Sequence, residues 1–433
     1  LCIDLKNNQQ KMSTYWTLES NRNINYKDNA SNKELILSEL HEKLNSSVSD
    51  QMLADVPVGA FLSGGIDSSL IVALMQQNSI NPVHTFSIGF SESQYDESTY
   101  ARAVANHLGT KHTELIVSPS DLIDVLPMLP NIYDEPFADS SQTPTFVVSK
   151  LARNDVTVAL TGDGGDEVFG GYNRHMWANN AWNRMNHLPN WFRKYLSVIL
   201  STPSEYRINK IFEILNYIIP LKYRVNLPGQ KIHKVSVTLS ALNIEDLYKC
   251  LTSLWINASD IVINPSEQNI NLRDIKGKSF AEKMMFLDLG IYLPGDILTK
   301  VDRAAMGVSL ETRVPYLNHK VVEFAWNMPI EMKIYRGEGK WALRRILEKY
   351  IPNQLINRPK MGFGVPIDFW LRGPLKDWAE NLLSESRLAN DGLFNPAPIR
   401  EKWREHLSSR KNWHHQIWTI LMFQAWFEAQ RKN

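Results

Sequence analysis

Two short segments of this chain set acids among glycines and hydroxyls. The first is Ser63-Gly64-Gly65-Ile66-Asp67-Ser68-Ser69 and the second is Thr161-Gly162-Asp163-Gly164-Gly165-Asp166-Glu167. Adjacent glycines allow close approach of a ligand to the backbone. A loop that opens a helix presents N–H groups and hydroxyls to an anion at the positive end of that helix. A carboxylate beside a phosphate is repulsive unless a cation stands between them. Asp67 and Asp166 therefore point to Mg²⁺ bridging the protein to a pyrophosphate group. One such loop alone would read as a strand-to-helix turn; two in matching context point to nucleotide chemistry.

Both loops need strands to carry them. Short apolar runs at 56–62, 83–90, 112–117 and 156–160 read as strands, and 69–77, 97–108 and 141–153 read as helices between them. This alternation predicts an α/β fold, a parallel sheet with helices on both faces. Ligands of such sheets bind at the carboxyl ends of the strands, so the loops after Leu62, Phe90 and Leu160 are expected to face one site. Residues 1–31 are polar and read as a connector with Tyr15-Trp16 as its bulky anchor. From Asn32, apolar residues at three- and four-residue spacing (Leu37, Leu40, Leu44, Val48, Met52) predict a helix. Beyond about residue 172 the strand pattern fades. The division expected is a nucleotide-binding α/β part at 32–175 and a mainly helical part at 176–433, with 279–350 strongly helical and a Trp-rich tail.

Composition narrows the function classes. Lys and Arg total 47 against 46 for Asp and Glu, a formal net charge of +1, which gives no electrostatic case for nucleic-acid binding. Two cysteines, Cys2 and Cys250, make a disulfide scaffold or a cysteine-rich zinc site an unlikely design and fit a reducing compartment. No apolar run is long enough to span a bilayer, and a cytoplasmic protein is the expectation. His84, His107 and His112 read as surface residues of strands or helices. The tryptophans of the tail read as packed core or a subunit contact, leaving a homodimer open. Arg303 and Arg313, with Asp302 and Glu311, read equally as braces of the site and as structural ion pairs.

Taken together, the motifs resemble a known family. Ser63–Ser69 is similar to the PP-loop signature of enzymes that split ATP into AMP and pyrophosphate. The pair of loops, the second running on as Val168-Phe-Gly-Gly-Tyr172, resembles the synthetase domain of glutamine-dependent asparagine synthetases. Phe86-Ser-Ile-Gly-Phe90, Ala105-Asn-His-Leu-Gly109, Asp302-Arg-Ala-Ala-Met306, Ser309–Leu317 and Lys360-Met-Gly-Phe-Gly-Val-Pro366 follow in family order. The resemblance covers about residues 16–366; the tail adds little to it.

It implies an adenine-nucleotide α-hydrolase-type fold and an amide synthetase that activates a carboxylate with ATP and Mg²⁺ and then transfers ammonia. Carried over by position, Leu62, Ile88 and Gly162 contact the nucleotide, and Ser63, Gly65, Asp67 and Ser68 line the pyrophosphate; Gly64, Ser69 and Thr161 complete the nucleotide-binding set. Asp67 and Asp166 hold the metal. Lys360 stabilises charge in adenylation, or else is the basic surface residue that Arg358-Pro359-Lys360 also describes. Asp163 stands where the family often carries a glutamate that serves the acyl-adenylate and ammonia; one methylene less shortens its reach. No arginine occurs between Tyr133 and Thr145, where some members place one for an acceptor carboxylate. Aspartate is the acceptor the resemblance implies, with a sugar uronic acid as the alternative and a catalytically silent nucleotide-binding subunit as the reading from another class. Glu135 and Asp139 read as acceptor ligands or as a polar turn. Cys2 is not expected to be a glutaminase nucleophile, since Leu1 precedes it and no glutaminase-sized domain separates it from the synthetase motifs. The chain reads as a synthetase half that takes free ammonia, with a glutaminase supplied separately if at all.

Overall fold

The computed structural model describes residues 1–18, 30–90, 96–203, 205–215, 228–255, 258–266, 278–357 and 365–432. Nine strands occur among them. β1 (Cys2–Asp4) and β2 (Gln9–Lys11) pair antiparallel. β3 (Val58–Phe61), β4 (His84–Phe90), β5 (Lys111–Val117), β6 (Val158–Leu160) and β7 (Glu311–Arg313) form one parallel sheet in the order β5-β4-β3-β6-β7. β8 (Ile334–Tyr335) and β9 (Glu338–Gly339) make a small antiparallel pair.

The order of the main sheet sets the site. The chain steps from β3 outward through β4 to β5 and then returns to the other side of β3 with β6. The direction of winding reverses between β3 and β6, the topological switch point at which open parallel sheets bind ligands. The loops that leave β3 and β6 are the two acidic glycine loops.

Alternate residues of each strand serve opposite faces, as strand geometry requires. Ala60, Leu62, Val58, Val158 and Leu160 pack into one apolar cluster with helices Ala30–Met52, Ile66–Gln77 and Trp341–Leu347. Phe61, Phe86, Ile88 and Ala159 pack into a second cluster with helix Gln142–Arg153 and the C-terminal helices. That second cluster explains the tryptophans of the tail: Trp370, Trp403 and Trp418 are buried beneath the sheet.

Several sequence expectations are corrected by the fold. The region 279–350 is not helical throughout. It contributes β7, which pairs parallel with β6, and the β8–β9 pair. Its helical stretch also changes type: Phe280–Leu287 is α-helical, Asp288–Leu298 is a π-helix containing Pro294, and Thr299–Met306 is α-helical again. Proline cannot donate to the ladder, and such wide turns recur beside functional sites. The N-terminal connector contains a hairpin; Trp16 Nε1 donates to Glu323 at 2.6 Å, Leu18 is buried in the core, and Tyr15 is fully exposed. His112 is not a surface residue. It is half-buried between β4 and β5, hydrogen-bonded to Thr85 Oγ1 at 2.9 Å and Ser87 Oγ at 3.1 Å. The loop after Phe90 (91–95) lies outside the described residues.

Candidate active site

The loop after β3 folds on its own hydroxyls. Ser63 N donates to Ser68 Oγ at 3.2 Å and Gly65 N to Ser63 Oγ at 3.2 Å, which curls the chain into the first turn of helix Ile66–Gln77. Gly64 has φ +71, a conformation that side chains rarely take. A Cβ there would lie 2.7 Å from the Tyr100 carbonyl carbon, so this glycine lets the loop sit against helix Ser98–Leu108.

The loop after β6 is fixed from below by β7, since Thr161 N donates to Arg313 O at 2.9 Å. Arg313 is itself held by the carbonyls of Gln51 and Leu53, each at 2.8 Å. Of the two readings of Arg313, the structural one matches these contacts. The two loops touch at Gly162, where a Cβ would meet Ser68 N at 2.8 Å and Asp67 Cβ at 3.0 Å.

Above the loops opens a cavity of about 630 Å³. Of the residues expected to serve the nucleotide or metal, Leu62, Ser63, Gly65, Asp67, Ser68, Ile88, Thr161, Gly162 and Asp166 line it. Gly64 and Ser69 belong to the same loop but face away; Ser69 is buried behind it. Asp163 and Asp139 also line the cavity. Glu135 is exposed and does not line it. Lys360 lies outside the described residues.

Two buried lysines organise the charge. Lys340 reaches between the two metal candidates, with its Nζ against Asp67 Oδ2 and 2.7 Å from Asp166 Oδ1. Burial disfavours this ammonium, but Asp166 and Asp67 outweigh that effect and hold its pKa above the ordinary lysine value. Lys300 lines the same cavity and is also paired with acid. Its Nζ is 2.8 Å from Asp139 Oδ2 and 2.9 Å from Ser141 Oγ. Burial again opposes the charge, and Asp139, with Asp296 and Asp163 further off, raises the pKa overall.

Three other carboxyls are pushed upward. Burial raises Asp163, with the charge of Lys300 opposing. Burial and the nearby charge of Asp139 lift Asp296 to about 6. Burial lifts Glu167 to about 7 although Tyr172 Oη donates to its Oε1 at 2.5 Å.

The sequence reading missed Lys340 and Lys300. A local signal was present for Lys340. Lys340 follows Gly337-Glu338-Gly339 and opens helix Trp341–Leu347, a glycine-flanked cation at a helix start. Lys300 carries no such signal, since Thr299-Lys300-Val301-Asp302-Arg303 reads as the polar start of an ordinary helix.

The donor set at Asp67 and Asp166 fits a hard divalent ion. Two carboxylates converge on one cationic centre, here the Lys340 ammonium. A Cβ at Gly165 would approach Asp67 Oδ1 to 2.6 Å, so that glycine keeps the cradle open.

A parallel sheet with two glycine-rich, acid-bearing loops at its switch point defines a nucleotide-binding α/β protein of the PP-loop type. The chain belongs to the asparagine synthase family, whose match spans residues 39–428. Members of this family carry out ATP-dependent amide synthesis. The chain is similar to glutamine-hydrolyzing asparagine synthetase 1 of Bacillus subtilis, at 32% identity over 93% of this chain and 61% of the relative. It is similar to a putative glutamine-hydrolyzing asparagine synthetase of Mycobacterium bovis, at 33% identity over 91% of this chain and 58% of the relative. A more distant relative, amidase chyE of Penicillium rubens, is 24% identical over 91% of this chain and 61% of its own length. The chain thus spans about three-fifths of these relatives, at 58–61%. No helix among the described residues is long and apolar enough to cross a membrane.

Proposed function

We propose that this chain is an AMP-forming amide synthetase that adenylates the side-chain carboxylate of aspartate and transfers ammonia to it, giving asparagine. The observation that carries the reading is the meeting of Asp67 and Asp166 on one cationic centre at the floor of the cavity, where the β3 and β6 loops adjoin.

A carboxylate is a poor electrophile because its oxygen leaves badly. Transfer of the adenylyl group of ATP to a carboxylate oxygen breaks the bond between the α-phosphorus and the bridging oxygen to the β-phosphate. It releases pyrophosphate and gives the acid a good leaving group. Asp67 and Asp166 would hold Mg²⁺, which would supply charge compensation for the departing pyrophosphate. The start of helix Ile66–Gln77, with Ser63, Gly65 and Ser68, lies where that pyrophosphate is held. Leu62, Ile88, Thr161 and Gly162 receive the nucleoside, and Lys360 adds charge stabilisation in adenylation.

The acceptor then lies toward Asp163, Asp139 and Lys300, which line the same cavity. Ammonia attacks the acyl carbon, AMP departs, and the nitrogen loses a proton. Asp163, whose carboxyl lines the cavity and is raised by burial, is the group placed to accept it.

The names of the Bacillus subtilis and Mycobacterium bovis relatives assign glutamine hydrolysis to them; for this chain free ammonia is the proposed nucleophile. The test is product analysis after mixing the protein with ATP, Mg²⁺, aspartate and ammonium, then with glutamine in place of ammonium. AMP, pyrophosphate and asparagine in equal amounts with ammonium support the reading. Equal amide formation from glutamine, with no second protein added, would refute the ammonia part. Release of pyrophosphate only with a sugar uronate would refute the acceptor.

A further inference from the structure

Lys340 stands where the reading above puts the metal. Its ammonium contacts Asp67 Oδ2 and lies 2.7 Å from Asp166 Oδ1, so the two carboxylates proposed for Mg²⁺ already share a cation. A divalent ion bonded to the same oxygens would lie within a few ångströms of that ammonium, and the two like charges would repel strongly in a buried site.

The backbone beneath Lys340 is fixed, and its buried side chain reaches both acids. Lys340 has φ +58, the left-handed region, and its N–H donates to Phe169 O at 3.1 Å. Gly339 before it is pressed against the next loop, where a Cβ would come within 2.3 Å of Gly170 O. The chain is therefore held in an uncommon conformation that aims this side chain at the acids. The flexible four-carbon stem lets the ammonium swing without moving the backbone. A destination lies close by: Ser63, Gly65 and Ser68 at the start of helix Ile66–Gln77 line the same cavity, and so does Arg344.

We propose that Lys340 is the resident cation of the metal position and hands it over. Its ammonium holds Asp67 and Asp166 until a polyphosphate draws it onto phosphate oxygens, and only then does a divalent ion gain both carboxylates. Metal and polyphosphate accordingly bind with strong mutual dependence, and the protein alone binds metal weakly. This inference rests on the proposed roles of Asp67 and Asp166.

Mn²⁺ binding, followed by the electron-spin-resonance signal of the free ion, tests it without turnover. Lys340→Met is expected to bind Mn²⁺ at least tenfold more tightly than wild type in the absence of phosphate compounds, and Asp67→Asn in that background to lose the gain. Equal affinity of wild type and Lys340→Met, or a gain that survives Asp67→Asn, would overturn it. Should Lys340→Met not fold, the wild-type protein decides. Pyrophosphate is expected to raise the protein-bound fraction of Mn²⁺ at least tenfold, and Mn²⁺ binding as tight without pyrophosphate as with it would overturn the proposal. A failure here while AMP and pyrophosphate still form from ATP and an acid sinks the handover and leaves the proposed function standing. Intact handover with no AMP formed does the reverse.

Discussion

Lys300 Nζ stands 2.8 Å from Asp139 Oδ2, joining positions 161 residues apart in the chain. The pair fastens helix Thr299–Met306 to the turn that precedes helix Gln142–Arg153, and Tyr133 Oη adds a hydrogen bond to Lys300 O at 3.0 Å. Part of the cavity lining is therefore set by a buried ion pair, and Asp163 lines the same cavity. Removing one member of such a pair leaves the other charge uncompensated. Lys300→Met should cost about 3 kcal/mol of stability. Urea unfolding of Lys300→Met, Asp139→Asn and the double variant checks this, with the double variant expected to recover much of the loss.

Asp67→Asn keeps the size of the side chain and removes its charge. Pyrophosphate release from ATP and aspartate should fall at least about a hundredfold, because stabilisation of developing charge is worth several kcal/mol at such sites. Retention of full release would remove Asp67 from the metal role.

Gly162→Ala tests the contact between the two loops. The added Cβ would meet backbone atoms of the first loop, Ser68 N at 2.8 Å, with no flexible side chain to give way. Overpacking of this kind costs about 1–3 kcal/mol. Thermal unfolding should register that loss, and ATP binding measured by calorimetry should weaken with it.

Lys333 offers a pH test far in chemistry from the site. It is 1% exposed, and burial lowers its pKa to about 7. The unfolded chain, with an ordinary lysine pKa, then binds more protons than the folded one between about pH 7 and about pH 10.5. Stability should rise with pH across that window, since the unfolding free energy increases wherever the unfolded state holds more protons. Lys333→Met removes the effect. It should be more stable than wild type by about 1–4 kcal/mol at pH 6, with the advantage shrinking toward pH 10. Urea unfolding at four or five pH values would show a constant difference if Lys333 is not the cause.

Much of this architecture was legible in the residues. The runs 83–90 and 112–117 became β4 and β5 almost residue for residue, because β-branched and aromatic residues bounded by glycine and helix signals leave little alternative. β7 was not legible. Glu311-Thr312-Arg313 is three residues long and polar, and it is a strand because β6 and the buried wall beside it supply the pairing partner. Tertiary context overrode local preference there. The acids of the two loops stand out in the sequence because aspartate among glycines has few structural explanations, and Asp67, Asp163 and Asp166 line one cavity. Lys300 and Lys340 were overlooked because a lysine is ordinarily a surface residue, and nothing local says that Asp139, or Asp67 and Asp166, wait for it across the fold. Glu135 was open for the opposite reason: a polar turn next to the site looks the same in sequence whether its acids face inward or out, and this one faces solvent.

The central claim is that the β3 and β6 loops form a site for adenylating a carboxylate. It is tested most directly by identifying the nucleotide product when the protein turns over ATP with Mg²⁺, aspartate and ammonium. The account predicts AMP and pyrophosphate in equal amounts, dependent on the acid and matched by asparagine. ADP and inorganic phosphate in their place, or no turnover with any acid while ATP still binds, would contradict it.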